Sequence, residues 1–513
     1  MNAADFTTRA PEHQELASNP GGNPDRIGIS GCIGQPPALP LNSGRMSLRA
    51  SISSFWNRSN GGRDILRISL PLLVSMSSHT VMLFTDRLFL GRYSFDAIAA
   101  ATPSGMTAFM FTCFFSGTVT FTNTLVAQYV GAGAPRRAGA ALWQAIYFAL
   151  GAGAILAALS GAGRPLFRMA GHPAAIQGME HIYFSILMQG SVFALLHDAL
   201  SCFFSGRGKT RTIMTVNLTG MAFNVPLDYA LINGAWGFPE LGIAGAALAT
   251  VASHVVMLLM FAAAVFNSRN ERLFGVRTRR AFDPEMFGRL ARFGAPSGIQ
   301  FFVDVFAFAF FMLVIGRLGR NEAAATSMAF SLNSLTFMPM IGFSIAVSTL
   351  VGQSIGRGRP EDAVVATRSA LTLTLIYMWS VSMLFFLAPG MLCDLFASGR
   401  QDPSDFAAVR AMAVNLIRLV AFYSLMDALA VIYSGALKGA GDTRFIGFMT
   451  VLLSIFVMIV PVYVAVLVLH AGLYTAWGFV TLYVCLADMA FFLRFRNGRW
   501  KHIRVIERAC VDT

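Results

Sequence analysis

Five polar or ionisable side chains lie within apolar segments of the N-terminal half of this sequence. His79 and Asp86 are seven residues apart in one segment, and Asn217, Asn224 and Asp228 are spaced by seven and four residues in another. These spacings place each set on one face of a helix. A charged side chain at the centre of a bilayer costs about 2.5–3.5 kcal/mol on insertion scales, so it marks an ion pathway or has a partner. The two sets together predict a polar pocket in the N-terminal half.

The C-terminal half contains a second group of acids in apolar surroundings. Asp304 lies in the run Phe-Phe-Val-Asp-Val-Phe and has no basic neighbour in sequence, which is hard to explain as structure. Asp427 follows Tyr423 by four residues and therefore shares its helix face. Asp198, in the N-terminal half, follows a histidine directly. The isolated carboxylate of Asp304 therefore predicts a functional residue in the C-terminal half.

Structural roles remain open for some of these residues. The alternative for Asp86 is an ion pair with a neighbouring arginine at a helix end. Asn217 and Asn224 have the alternative of hydrogen bonding between helices. His79 would titrate near neutral pH if it were functional, and its alternative is a hydrogen-bonded core histidine.

Composition indicates the medium in which these residues lie. Of the 513 residues, 55% are hydrophobic and 13% are charged, whereas a typical soluble domain has about 25% charged residues. Because a spanning helix needs about 20 apolar residues, this content fills about a dozen spans and argues against a soluble enzyme. The period-two alternation of barrel strands is absent. We predict an all-α membrane protein with twelve transmembrane helices, over residues 65–90, 97–130, 140–162, 181–204, 212–233, 241–266, 293–317, 323–352, 367–397, 407–434, 445–468 and 472–494.

Several common functional signatures are missing from the sequence. The six cysteines are scattered without a CxxC pair, so we expect neither a disulfide framework nor a zinc site. The glycines lack P-loop spacing, and neither a nucleophile elbow nor an HExxH motif occurs. We therefore expect neither ATP-driven transport nor enzymatic activity, and no cofactor. Residues 1–60 lack the apolar run of a signal peptide and are predicted to be a disordered cytoplasmic tail, with Met46 as an alternative start.

Basic residues are unevenly distributed among the loops. The net charge is +13, from 39 Lys and Arg against 26 Asp and Glu. Seven arginines lie between residues 267 and 292, and Lys438 and Arg444 are assigned to a further basic loop, whereas the loops 233–240 and 469–472 have no Lys or Arg. Under the positive-inside rule this alternation places both termini in the cytoplasm. The charge excess then follows from topology without a nucleic-acid partner.

An internal repeat divides the chain into halves. Residues 71–135 align without a gap with residues 296–360, with 14 identities over 65 positions. A second patch, Gly-x-Gly-x-Thr-Arg, occurs at 206–211 and at 439–444. Six spans per copy is an even number, so the copies share one orientation and a pseudo-two-fold axis along the membrane normal. The repeat also pairs His79 with Asp304 and Asp198 with Asp427, which indicates ionisable groups at the same depth in both halves.

The predicted organisation follows from the repeat and the loops. It comprises the tail 1–60, an N-terminal six-helix lobe 61–266, a basic cytoplasmic linker 267–292, a C-terminal six-helix lobe 293–495 and a basic cytoplasmic tail 496–513. Two-lobed membrane proteins of this kind are mostly alternating-access transporters.

Several motifs, each weak alone, resemble the multidrug and toxic compound extrusion (MATE) transporters in their order and spacing. They are the segment 84–91 around Asp86, the turn 127–133, the two Gly-x-Gly-x-Thr-Arg loops, and the segments 224–228 and 423–429. The resemblance covers about residues 63–495. It implies that the carboxylate at Asp86 takes part in proton or sodium coupling and faces the polar pair Asn224 and Asp228. Asp304 resembles the acidic residue on the seventh helix of the NorM-like branch, which usually has Glu there, and Asp427 resembles the aspartate on its tenth helix. The resemblance implies that Asp304 and Asp427 bind cations, and it makes this pair a candidate site for a sodium ion.

The resemblance implies a secondary antiporter that exports amphipathic, cationic small molecules in exchange for H⁺ or Na⁺. We expect it to act as a monomer in the bacterial inner membrane. A flippase for lipid-linked sugars is the nearest alternative. An anionic lipid head would favour basic residues within the spans, where Arg418 is the main candidate among many acids. A membrane-embedded enzyme or receptor is the more distant alternative, and no catalytic or sensing motif supports it.

Overall fold

The structure is a computed structural model, and it describes residues 55–169, 174–394, 396 and 403–507. The predicted tails therefore lie outside the described residues up to residue 54 and from residue 508 onward. Within the described residues there are helices and no strand. The twelve long helices are α1 (Gly62–Tyr93), α2 (Phe95–Gly131), α3 (Pro135–Leu159), α4 (Ala174–Gly206), α5 (Thr210–Asn233), α6 (Ile243–Val265), α7 (Pro284–Ile315), α8 (Arg320–Gly356), α9 (Pro360–Leu387), α10 (Pro403–Ala440), α11 (Thr443–Val468) and α12 (Leu473–Arg496). The prediction of an all-α membrane protein with the twelve-helix fold is confirmed.

Eleven of these helices are long and apolar enough to cross a membrane. The twelfth, α5, is 24 residues long but carries Asn217, Asn224 and Asp228 within its length. These side chains lower its apolarity below that of its neighbours. The one long helix that is not apolar enough to count as a membrane span is therefore the helix that carries three of the predicted N-terminal site residues.

Helix ends differ from the apolar runs in several places. The second run contains a kink between Val119 and Thr122. The predicted run 367–397 is not one helix, because α9 ends at Leu387 and a separate short helix begins at Pro389, whose ring cannot continue the hydrogen-bond ladder. The linker contains the short helix Ser268–Phe274. Helix α7 begins at Pro284, inside the predicted linker, and Asp283 caps it by accepting hydrogen bonds from two backbone amides.

Turns of the two repeat copies are built in the same way. Gly133 and Gly358 have positive φ values of 73° and 71°, which glycine adopts at no steric cost. Pro135 and Pro360 then begin α3 and α9, at the helix position where the missing amide hydrogen is no loss. The repeat seen in the sequence is therefore a repeat of local structure.

The two lobes, α1–α6 and α7–α12, meet through equivalent helices. Helix α2 packs against α7, and α8 packs against α1. Since α1 corresponds to α7 and α2 to α8 in the repeat, the two contacts are related by the pseudo-two-fold axis.

One end of the bundle is closed by paired hydrogen bonds between the lobes. Gln128 donates to the carbonyl oxygen of Gly439 at 3.0 Å, and Gln353 donates to that of Gly206, also at 3.0 Å. Gln128 and Gln353 are repeat counterparts, and both bonds are buried. We call this end, which also holds both Gly-x-Gly-x-Thr-Arg loops, the closed face.

Backbone contact makes the closed face tight. A Cβ atom on Gly131 would overlap the carbonyl of Gln353, and one on its counterpart Gly356 would overlap the carbonyl of Gln128. Only glycine permits this approach of two helix backbones. Thr124 donates to the carbonyl of Lys438 at 3.1 Å beside these contacts. The lobes thus form an ordered seam at this end.

Candidate functional site

The first candidate site lies between α1, α4 and α5, toward the ends of α1 and α5 away from the closed face. Asp86 on α1 is 6% exposed and Asp228 on α5 is fully buried. Tyr183 on α4 donates its hydroxyl hydrogen to Asp86 Oδ2 at 3.2 Å. Asp228 is close enough for the two carboxylates to interact electrostatically. The predicted carboxylate pair is therefore present in the geometry.

Much of the polar surface in this site has no protein partner. Asp86 Oδ1, both carboxylate oxygens of Asp228 and both amide atoms of Asn224 are buried without a hydrogen bond. Buried polar atoms are normally satisfied, so these five atoms suit a proton, a cation or water. Arg87 lies on the exposed side of α1, and no described arginine forms an ion pair with Asp86. The helix-end ion pair considered above is therefore not formed.

The second candidate site is a hydrogen-bonded chain across four helices of the N-terminal lobe. Ser116 on α2 donates to Asp198 Oδ2 at 2.6 Å, and His197 Nδ1 lies 3.3 Å from Asp198 Oδ1. His197 Nε2 lies 3.1 Å from Asn217 Oδ1, and Asn217 donates to Ser75 on α1 at 2.6 Å. Asn217 thus bonds between helices, as its structural alternative expected, while also joining a chain that holds Asp198. Both ring nitrogens of His197 therefore lie within hydrogen-bonding distance of an oxygen atom.

Two further histidines surround this chain. His79 on α1 is exposed and has no hydrogen-bond partner among the described residues, so it is not the hydrogen-bonded core histidine of the alternative reading. Its ring is close enough to His197 and Asp198 to interact electrostatically. His254 on α6 packs edge-on against His197, with ring centroids 5.9 Å apart. The sequence prediction missed His254, a lone histidine in an apolar segment.

The third candidate site is built around Asp304 on α7. Tyr483 on α12 donates to Asp304 Oδ1 at 3.1 Å, and Gln300, one turn earlier on α7, donates to Oδ2 at 3.2 Å. Asp427 on α10 lies within electrostatic range of Asp304. The repeat prediction matched Asp304 with His79 and Asp427 with Asp198, one residue of each match in each lobe. In the structure Asp304 lies near Asp427 in the C-terminal lobe, and His79 lies near Asp198 in the N-terminal lobe.

A third acid joins this site, and the sequence prediction missed it. Asp488 on α12 is 7% exposed, leaves Oδ1 without a hydrogen bond and interacts electrostatically with Asp427. Tyr423 is 1% exposed, its hydroxyl has no hydrogen-bond partner, and its ring centroid lies 6.4 Å from that of Trp477. The sequence signal that could have identified Asp488 is its position as an aspartate within the last predicted span, residues 472–494.

The bases within the spans also differ from expectation. Arg418, the expected candidate, is on the exposed side of α10. Lys438, near the end of the same helix, is instead the base close enough to act electrostatically on Asp304. It forms no ion pair within the described residues. Sequence reasoning had assigned Lys438 to a basic loop.

The first and third sites each bring carboxylates close together in buried surroundings. Neighbouring carboxylates in a low-dielectric setting repel each other, so gain of a proton or a cation relieves the repulsion. Among the described residues no group of three or more His, Cys, Asp or Glu side chains is arranged to hold a metal ion. A sodium ion at Asp304 and Asp427 would therefore need additional ligands, for which the Tyr423 hydroxyl is the nearest unsatisfied oxygen on the Asp427 helix.

Comparison with known proteins places this arrangement in a family. The MatE family model matches residues 71–230 and 296–464, which are the two halves of the repeat. The multidrug resistance protein PmpM of Pseudomonas aeruginosa is 30% identical over 81% of this chain and 83% of its own length. A probable multidrug resistance protein NorM of Thermotoga maritima is 27% identical over 87% of this chain and 94% of its own.

Solved structures agree with this relation at the level of fold. An outward-facing multidrug resistance MATE family transporter of the MOP superfamily superimposes with a TM-score of 0.77 at 20% identity, over 86% of this chain and 97% of that one. A MATE structure in the straight conformation gives the same TM-score over 88% of this chain. The resemblance predicted from the motifs is confirmed, and the chain belongs to the MatE family of membrane transporters.

Proposed function

We propose that this chain is a secondary antiporter that exports amphipathic organic cations across the bacterial inner membrane in exchange for H⁺ or Na⁺. The observation that carries the proposal is the excess of acids within the spans. Six aspartates lie in the three candidate sites, whereas two lysine or arginine side chains of the described residues, Lys438 and Arg87, act electrostatically on them. The six are Asp86, Asp198, Asp228, Asp304, Asp427 and Asp488. The relatives named as multidrug resistance proteins support drugs as the substrate class.

The carboxylates supply the exchange. A coupling cation that reaches Asp304 and Asp427 lowers their mutual repulsion and removes the negative charge that attracts a cationic substrate. Substrate and coupling ion therefore compete for the same charge, which is the differential affinity that an exchange mechanism requires. The N-terminal pair Asp86 and Asp228 offers a second place for the coupling ion.

The closed face supplies the other half of the proposal. With the lobes joined by Gln128 and Gln353 at this end, the cytoplasmic side is shut and the site is open outward. Alternating access then requires these bonds to break while the lobes close at the opposite end. The linker and both termini belong to the cytoplasmic side in this arrangement, and the protein functions as a monomer without a cofactor.

The lipid-linked sugar flippase is less well supported. A phosphate-bearing headgroup needs several cationic partners. Among the described residues Lys438 acts on Asp304 and Arg87 on Asp86, in different sites, while Arg418 is on the exposed side of its helix. The acids of the candidate sites outnumber these bases.

A transport assay with imposed gradients tests the proposal. Purified protein in liposomes is given a fluorescent cationic dye with a proton gradient, a sodium gradient or neither. We expect dye accumulation with one of the two gradients and none without a gradient. Equal dye movement in all three conditions would contradict exchange, and lipid scrambling without dye transport would support the flippase instead.

A further inference from the structure

A cationic pocket lies where α1 and α5 begin at the closed face, apart from the three candidate sites. It has a volume of about 740 Å³, within the range of about 300–1,000 Å³ typical of small-ligand sites. Four arginines line it, three from the start of the described chain and one from α5: Arg58, Arg63, Arg67 and Arg211. All four are exposed. Positive charge from two separate segments therefore converges on one cavity.

Little negative charge balances these arginines. Asp64 is the one acid that lines the pocket, and it accepts a hydrogen bond from the backbone amide of Asn60 at 2.9 Å. None of the four arginines forms an ion pair within the described residues. An adjoining pocket of about 230 Å³ shares Arg67 and Arg211 and adds Lys209.

The pocket also has apolar walls at the level of the membrane surface. Trp56 is 40% exposed and Leu70 is 58% exposed, and both line it beside the arginines. Tryptophan is enriched at the membrane–water interface, and Leu70 is eight residues into a spanning helix. A soluble anion would have no use for these exposed apolar side chains.

We propose that this pocket binds the phosphate headgroup of an anionic phospholipid from the leaflet at the closed face. Guanidinium groups bind phosphate oxygens in a bidentate manner, and basic pockets between transmembrane helices on the cytoplasmic side are a recurrent form of anionic lipid site. The acyl chains lie along Leu70 and the outer surface of α1. Trp56 covers the glycerol region.

The bound lipid would act on the helices that carry the first candidate site. Arg63 and Arg67 belong to α1, which holds Asp86, and Arg211 belongs to α5, which holds Asp228. A headgroup bridging these arginines ties the two helix ends together and removes the repulsion between them. Anionic lipid should therefore raise the thermal stability of the purified protein.

The test compares two triple variants with equal change in net charge. The first triple variant, Arg63→Gln with Arg67→Gln and Arg211→Gln, removes three of the four pocket arginines and leaves Arg58. The control triple removes three exposed arginines elsewhere on the same side, namely Arg136→Gln, Arg279→Gln and Arg499→Gln. Binding of phosphatidylglycerol to each protein is measured by native mass spectrometry and by the shift of the melting temperature in nanodiscs, with phosphatidylcholine as the neutral lipid.

We expect about fivefold weaker binding per arginine, or about 100-fold for the pocket triple, since a basic residue near the surface contributes about 1 kcal/mol to anionic lipid binding. The control triple should retain binding and the lipid-dependent rise in melting temperature. An equal loss in both triples would overturn the proposal, because general surface charge would explain it. Full competition of lipid by millimolar inorganic phosphate would overturn the lipid assignment in favour of a soluble anion.

A conservative variant keeps the test sound if the pocket triple does not fold. Arg67→Lys retains the charge and loses the bidentate fork, so we expect weaker lipid binding at unchanged melting temperature in phosphatidylcholine. Unchanged binding in Arg67→Lys, together with retained binding in Arg211→Gln, would contradict the proposed site. None of these measurements depends on transport, so failure of the antiport proposal leaves this one unaffected.

Discussion

Breaking the two glutamine bonds at the closed face should shift the protein toward a state that is open at that end. The perturbation is the double variant Gln128→Ala and Gln353→Ala. Each glutamine is buried, donates across the lobes at 3.0 Å and leaves a backbone carbonyl without this donor when it is removed. The two changes are repeat counterparts, so they remove equivalent bonds on either side of the pseudo-two-fold axis.

The expected magnitude follows from the number of bonds. Removing one partner of a buried hydrogen bond costs about 1–3 kcal/mol, so the closed state loses about 2–6 kcal/mol. Since 1.4 kcal/mol is a factor of ten, the ratio of open to closed molecules should rise at least about 25-fold. The loss acts on the closed state alone, because these bonds break when the lobes separate.

Distance measurement between spin labels provides the assay. Labels are placed at Arg136→Cys and Arg359→Cys, exposed positions of the two lobes at this end, in a background without the six native cysteines. The double variant should gain a longer-distance population that the parent lacks. Ser253→Ala is the control, because Ser253 is equally buried and its hydroxyl donates to the Ala249 carbonyl of its own helix at 2.8 Å. Identical distance distributions in all three proteins would refute the reasoning.

Two further predictions concern packing at the seam and the third candidate site. Gly131→Ala should lower the free energy of unfolding by about 1–3 kcal/mol, because its Cβ would overlap the backbone of the other lobe. Gly151→Ala is the control and should be neutral or stabilising, because there is open space around Gly151. Thermal melts in detergent check this prediction, and equal melting temperatures of the two variants would contradict it. Tyr483→Phe removes a hydrogen-bond donor that favours the ionised form of Asp304, so the pH profile of proton-driven transport should move to higher pH. Tyr433→Phe, whose hydroxyl has no hydrogen bond in the described part of the chain, should leave the profile in place, and a shift in both variants would count against the assigned contact.

Apolar periodicity and the repeat were sufficient to predict the fold. Twelve apolar runs correspond to the twelve long helices, including α5, which fails a simple apolarity test because of Asn217, Asn224 and Asp228. Helix ends were less predictable, since apolar runs stop at the membrane surface while helices continue. Helix α7 begins at Pro284 in the predicted linker because Asp283 caps it there.

The candidate sites were predictable only in part. Asp86, Asp228, Asp304 and Asp427 stood out because a carboxylate in an apolar run has a large desolvation cost. Their partners depend on how helices pack, and one sequence without structure contains no direct signal for that. Tyr183 reaches Asp86 from a helix nearly a hundred residues later.

The surroundings of two basic residues were likewise not predictable from the sequence. Lys438 was grouped with loop charges because it precedes a Gly-x-Gly-x-Thr-Arg loop, yet α10 continues to Ala440 and brings its charge within range of Asp304. Arg418, six turns before the helix end, was expected inside and lies outside. The sequence alone shows neither where a helix ends nor which of its faces is buried.

The most direct test of the central claim is coupled transport by the double variant Asp304→Asn and Asp427→Asn. In everted vesicles we expect dye binding to weaken and gradient-driven dye accumulation to disappear, because the neutral amides attract neither the cationic dye nor the coupling ion. Asp394→Asn is the control, since Asp394 lies outside the spans and is ion-paired with Arg410; it should transport normally. Full gradient-driven accumulation by the double variant would contradict the claim that these carboxylates couple cation entry to substrate export.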